Sequence, residues 1–191
     1  MRRRNLIASA GAIATFTAGT VLSGSADAQA PLDLENTIYL DLKQGRVVIQ
    51  LFPDLAPEHV ARIKQLARMG FYDNTPFHRV IENFMAQGGD PTGTGRGGSS
   101  LPDLKAEFTT KRQFLRGVCG MARSSSPDSA NSQFFIMFAD GPFLNGMYTV
   151  IGQVLSGMDV VDKLKKGDPQ ANGTVVGPDK MVSVKVAADV K

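Results

Sequence analysis

Two chemistries are ruled out first by what is scarce. The 191-residue chain has one cysteine and two histidines. With Cys119 alone no internal disulfide can form, which an oxidising compartment tolerates if the thiol is buried. Its setting, Gly-Val-Cys-Gly-Met-Ala (117–122), reads as a core strand, so Cys119 is expected to be a small buried hydrophobe. His59 and His78 give no zinc-ligand spacing, and no metal or cofactor is expected. Neither histidine is placed to activate Ser124–Ser126 or Ser129, which read as a solvated loop rather than part of a hydrolase triad. No paired acid and base stands out either. The chemistry to look for is one that breaks no covalent bond.

A real basic surplus is also missing. Arg2, Arg3, Arg4 and Asp27 lie in the first 28 residues, and removing those residues takes the formal charge from +3 to +1 over the remaining 163. The basic pI is therefore no argument for nucleic-acid binding. Residues 1–28 read as an export signal. Three arginines precede a weakly apolar stretch from Leu6 to about Leu22, and Ala26-Asp27-Ala28 supplies small residues at signal-peptidase spacing. Cleavage is expected near Ala28, since a cut after Ala30 would leave Pro31 beside it. Arg3-Arg4-Asn5-Leu6-Ile7 fits twin-arginine export, and the general secretory route stays open. The stretch is short and soft for a lasting membrane anchor, and no Leu-x-Gly-Cys lipidation box is present. A periplasmic protein with no membrane span after cleavage is expected.

Residues 29–36 form a short polar leader, and 37–191 form one domain. Thr37–Leu42 alternates, and Arg46–Leu51 continues after Lys43-Gln44-Gly45, predicting a hairpin. Pro57 opens a helix on which Val60, Ile63, Lys64, Leu66 and Ala67 are read as one apolar stripe with charges between, and Gly70 ends it. Further strands are predicted at Phe77–Ile81, Phe84–Gly88, Gly117–Ala122, Gln133–Phe138, Thr149–Leu155 and Met181–Ala187, with a second helix at Met158–Lys165. Short strands, two helices and no βαβ rhythm argue for a single antiparallel barrel capped by helices.

Gly93-Thr94-Gly95-Arg96-Gly97-Gly98 formally matches Gly-x-Gly-x-x-Gly, but the following Ser-Ser-Leu-Pro cannot begin the helix a dinucleotide site needs. It reads as a mobile glycine loop. His59, on the first helix, reads as a residue in a polar setting. Arg79 is different. It stands in Phe77-His78-Arg79-Val80-Ile81, where alternation puts Phe77, Arg79 and Ile81 on one face and His78 and Val80 on the other. On composition alone such an arginine is an exposed salt-bridge partner. Phe84, Met85 and Gln87 nearby, with Gln133, Phe134 and Phe135 on a second strand, suggest instead an apolar pocket with one strong donor fork.

Phe77–Asp90 together with Ser132–Phe138 resembles the signature of the cyclophilins, peptidyl-prolyl cis/trans isomerases. The resemblance runs from about Asn36 to Ala187 and is strongest to the periplasmic bacterial branch, through 121–136 and Phe143-Leu144-Asn145-Gly146. It implies a mainly β fold, a closed eight-stranded antiparallel barrel with a helix over each end. It also implies that Arg79 is catalytic and that Phe84, Met85, Phe135 and Leu144 take the substrate proline. By the same resemblance Gln87 orients the arginine, while Ala122, Arg123 and Gln133 hold residues preceding proline. His78 would lie at the site's edge. Phe143 and Tyr148 stand where eukaryotic members have Trp and His. Phe143 lacks the indole N–H, so weak cyclosporin binding is expected, whereas Tyr148 should leave the pocket intact. Arg123 replaces a neutral amide. The implied partners are proline-containing segments of exported proteins, with the chain a monomer. Two readings follow: an isomerase assisting folding, or a module that binds proline segments as a chaperone with incidental turnover.

Overall fold

The structure, a computed structural model, describes residues 32–191. The expected export segment and its cleavage site lie outside these residues. Eight strands form one antiparallel sheet: β1 (Thr37–Leu42), β2 (Gly45–Leu51), β3 (Arg79–Ile81), β4 (Met85–Gly88), β5 (Val118–Met121), β6 (Phe134–Met137), β7 (Val150–Ser156) and β8 (Met181–Val186). Their order is β3-β4-β6-β5-β7-β2-β1-β8. The helices are α1 (Pro57–Arg68) and a short α2 (Met158–Asp162).

Alternation decides which side of the first hairpin is buried. Ile38, Leu40 and Leu42 pair with Ile49, Val47 and Gly45 and face the interior, while Asp41 faces its register partner Arg46 outside, at 2.7 Å. The central strands β4, β5 and β6 are buried on nearly every residue, because two cores flank them. Ala86, Cys119, Met121, Phe134 and Ile136 join the main core inside the curl. Met85, Val118, Phe135 and Met137 point the other way, into a second cluster with Phe114, Leu144 and Val150. Register shifts at Asp41/Leu42, Val48/Ile49 and Cys119/Gly120 add local twist and curl the sheet.

The closed barrel expected from the sequence is not formed by strand pairing. β3 and β8 are the two edges of the sheet and share no ladder. β3 has only three residues, too few to carry its own outer neighbour. Loop backbone fills the seam instead. Phe77 N–H donates to Asp179 O at 2.9 Å, Val175 N–H to His78 O at 3.0 Å and Val80 N–H to Gly173 O at 2.8 Å. The segment around 172–175 is thereby laid against Arg79, with an isolated bridge between Arg79 and Thr174.

α1 begins at Pro57, where the missing N–H costs nothing, but its N-cap Ala56 offers no side-chain acceptor. Glu107 supplies one from 48 residues away. Its carboxylate accepts the N–H groups of Glu58 (3.2 Å) and His59 (3.1 Å), and it lies 2.6 Å from His59 Nδ1. His59, read as a residue in a polar setting, is instead fully buried, and among the described residues this carboxylate is the one hydrogen-bond partner of its ring. Cys119 is buried as expected, and burial pushes its thiol up to about 12.

Candidate functional site

Register assembles the site. Arg79 on β3 pairs with Gln87 on β4, Gln87 with Phe135 on β6, and Phe135 with Gly120 on β5. These four residues form one row across four strands, on the face that carries the second core. Gly120 must be glycine: a Cβ there would stand 2.6 Å from Phe135 Cζ and 2.7 Å from Phe114 Cε1. Without it, the Phe135 ring could not lie over β5 at the end of the row. Phe135 stacks on Phe114 at 5.6 Å and meets the edge of Tyr148 at 5.8 Å. Phe84 and Phe143 pair at 5.5 Å on the rim.

The result is a cavity of about 360 Å³ lined by Arg79, Phe84, Met85, Gln87, Ala122, Arg123, Phe135, Phe143, Leu144, Met147 and Tyr148. Its floor is apolar and buried, and Phe143 and Met147 are exposed at its mouth. Ten of the residues expected from the sequence are therefore brought to one wall-to-wall pocket. Gln133 lies one step away, in an adjoining chamber of about 540 Å³ that shares Gln87, Ala122 and Arg123 with the first.

Two sequence expectations change here. His78 lines neither cavity. It is buried beneath the glycine loop, where a Cβ on Gly95 would lie 3.3 Å from its Nε2, and neither ring nitrogen has a hydrogen-bond partner. Burial lowers its pKa, with Arg79 adding to the effect and Asp90 opposing it. Phe77 does not share a face with Arg79 either. It precedes the strand, so alternation does not apply to it, and it packs in the main core with Phe134 at 6.4 Å.

The Arg79 side chain is half-buried and held from two sides. Gln87 Oε1 accepts from Nη1 at 3.1 Å. Asn172 accepts twice: its carbonyl from Nε at 3.0 Å and its Oδ1 from Nη2 at 2.9 Å. Asn172 can offer both oxygens because its backbone is left-handed (φ 54°, ψ 34°), a conformation that asparagine tolerates better than most residues. Sequence reasoning missed this residue. The Asn172-Gly173 pair signals a turn, but nothing local ties it to a side chain 93 positions earlier. A guanidinium has five N–H groups. Three are taken, so one remains on each of Nη1 and Nη2. Burial lowers the Arg79 pKa and Tyr148 opposes the shift.

Gln87 is held in turn. Its Nε2 donates to Gln133 Oε1 at 2.9 Å, and Gln133 Nε2 donates to Gly97 O at 2.8 Å and Gly95 O at 3.1 Å. The glycine loop, read from the sequence as mobile, is pinned by the Asp90 carboxylate, which accepts the N–H groups of Thr92, Gly95 and Gly97. Burial resists that charge, but these hydrogen bonds outweigh it and hold Asp90 below the usual carboxylate range.

Residues 37–186 match the family model described as cyclophilin type peptidyl-prolyl cis-trans isomerase. The chain belongs to the cyclophilins. A probable peptidyl-prolyl cis-trans isomerase of Brucella suis is 52% identical over 198 residues, covering 98% of this cyclophilin and all of the relative. The isomerase cypE of Dictyostelium discoideum is 41% identical, over 68% of this chain and 85% of its own. Among solved structures, cyclophilin AquaCyp293 of Hirschia baltica superposes with TM-score 0.73 at 30% identity, covering 84% of this chain and 77% of that one. A Cryptosporidium parvum cyclophilin, solved in the presence of the dipeptide Ala-Pro, gives 0.72 at 29% identity, covering 78% and 98%. This cyclophilin is a peptidyl-prolyl cis/trans isomerase by family.

Proposed function

We propose that the protein accelerates rotation about X-Pro bonds in exported proteins as they fold, with Arg79 as the catalytic group. The barrier to peptide rotation, roughly 18–20 kcal/mol, comes from resonance between C=O and C–N. For X-Pro this makes exchange take tens to hundreds of seconds at 25 °C. In the twisted state that resonance is lost, and the proline nitrogen becomes pyramidal with a localised lone pair. A donor aimed at that nitrogen finds an acceptor that scarcely exists in the planar amide. Such a contact favours the transition state over the ground state, which is the requirement for catalysis.

One observation carries this reading: a half-buried guanidinium, fixed on three of its N–H groups, with two left over at the wall of an apolar cavity. The cavity would take the proline ring between Phe84, Met85, Phe135 and Leu144. It would also exclude the water that solvates the planar amide. No titrating group is needed.

The assignment to exported clients rests on residues 1–28, with their arginines, weak apolar stretch and Ala26-Asp27-Ala28. N-terminal sequencing of the protein recovered from periplasmic extract should begin at Gln29. A chain retained in the cytoplasm with its N-terminus intact would overturn that part. Isomerisation is tested by exchange NMR on an Ala-Pro peptide. Cross-peaks between cis and trans forms that grow at catalytic protein concentration support the enzyme. Shifts on binding without faster exchange would leave only a holding module.

A further inference from the structure

The chamber beside the proline pocket has a different chemistry from the pocket itself. Its walls are mainly glycine backbone, Ser99, Ser124, Ser129, Asn131, Gln87 and Gln133, with Ala122 the one apolar side chain. Three charged residues reach it: Arg96, Arg123 and Asp103. Neither arginine forms an ion pair among the described residues. Arg123 donates only to backbone carbonyls, those of Met147 (3.2 and 3.1 Å), Ser124 (2.9 Å) and Ser125 (3.5 Å), and lies over the Tyr148 ring at 4.5 Å. It is thus held in place with its charge uncompensated. Asp103 is turned towards Asn131, whose Nδ2 donates to it at 2.9 Å. The side chains that line the chamber therefore carry a net positive charge, while the Asp90 carboxylate behind Gly95 and Gly97 is spent on their N–H groups.

The chamber is also built in advance. Asn131 accepts from Ser99 N–H and Oγ and donates to Leu101 O, while the buried Arg62 donates to Pro102 O at 2.8 Å. On the other side Asp90 pins the glycine loop. Because the chamber and the proline pocket share Gln87, Ala122 and Arg123, a peptide with its proline in the pocket places a neighbouring side chain in the chamber. An apolar side chain would find little apolar wall there, and a lysine would meet two guanidinium groups. A carboxylate would meet their charge.

We infer that this chamber is an anion-preferring side-chain subsite, so that the substrates turned over fastest carry Asp or Glu within three residues of the proline. The inference rests on the isomerase reading of the adjoining pocket. It gives a direction to the replacement of a neutral amide by Arg123.

The test is a panel of alanine peptides with one central proline and Glu, Gln or Lys at each of three positions on either side. Exchange rates and dissociation constants are both read by NMR. At one position Glu should exceed Lys about three- to tenfold, with Gln between, the range one or two solvent-facing ion pairs provide. The ratio should shrink as ionic strength rises from about 0.01 M to about 1 M. It should fall in Arg96→Gln and reverse in Arg96→Glu, an exposed site at which folding is not at stake. Equal rates and affinities for Glu and Lys at all six positions, with the all-alanine peptide still accelerated, would overturn the subsite and leave the isomerase intact. If the all-alanine peptide is not accelerated, the isomerase reading fails, and the dissociation constants alone then decide the subsite.

Discussion

Replacing Arg79 tests the mechanism most directly, and the geometry sets the size of the effect. Two N–H groups of Arg79 are free to face substrate, and three are spent on Gln87 and Asn172. Losing one preorganised donor to a developing acceptor costs about 10²–10³ in rate, or about 2.7–4 kcal/mol. Arg79→Ala should therefore lower kcat/KM at least 100-fold. Arg79→Lys separates charge from geometry. An ammonium has three donors on a point charge and no planar fork. It cannot satisfy Gln87 Oε1 and Asn172 Oδ1 and still present a fixed pair to substrate. Rescue over Ala should stay below about tenfold. Of the freed acceptors Asn172 is exposed and half-buried Gln87 lines the open cavity, so water can replace the lost donors and stability should change by less than about 1 kcal/mol. Exchange NMR on an Ala-Pro peptide gives kcat/KM, and urea unfolding monitors the fold. If Arg79→Lys keeps more than about a third of wild-type activity, charge alone suffices and the fixed fork is not the source of catalysis.

Five further outcomes follow from particular contacts. Asn172→Gly keeps the left-handed backbone but deletes Oδ1, so kcat should drop about three- to tenfold with little change in KM, and an unchanged kcat would remove Asn172 from the arginine's positioning. Glu107→Ala strips the N-terminus of α1 of its acceptor and leaves buried His59 Nδ1 unpaired, which should cost about 2–4 kcal/mol; a midpoint shift in urea worth less than about 0.5 kcal/mol would show that the helix caps itself. Activity should be flat between about pH 6 and 9, since arginine stays charged and His78, whose pKa burial lowers, lines neither cavity. Stability behaves differently: the His78 pKa is depressed in the fold, so the unfolded chain takes up the proton first and stability declines as pH falls below about 6.5, a component that His78→Gln should flatten. Cys119, buried with its thiol pushed up to about 12, should resist a thiol reagent at pH 8 until urea unfolds the chain, and rapid native labelling would contradict its place in the core.

Much of the fold was legible because it is local. The β1–β2 hairpin follows from alternation, and Ile38, Leu40, Val47 and Ile49 are buried as that pattern requires. α1 follows from Pro57 and the stripe Val60, Ile63, Leu66, Ala67. β4, β5 and β6 were visible only as short apolar runs, because both their faces are covered and alternation is erased. The identity of the site was legible through Arg79, Gln87 and Phe135, which stand on short strands whose family signature falls in two blocks, each contiguous in the chain.

What the linear chain determined is the inventory: an arginine, two glutamines and a set of rings, on strands whose spacing and polarity are set by near neighbours. What needed the folded molecule is everything decided by contacts far apart in sequence. Strand register places residues 79, 87, 135 and 120 in one row. An edge strand too short to pair with β8 admits a loop in its place, and that loop brings Asn172 to the guanidinium. Glu107 reaches the start of α1 across 48 residues, and His78 sinks beneath the glycine loop. Period and propensity report on a residue's immediate neighbours, and they carry no record of which distant backbone will lie alongside.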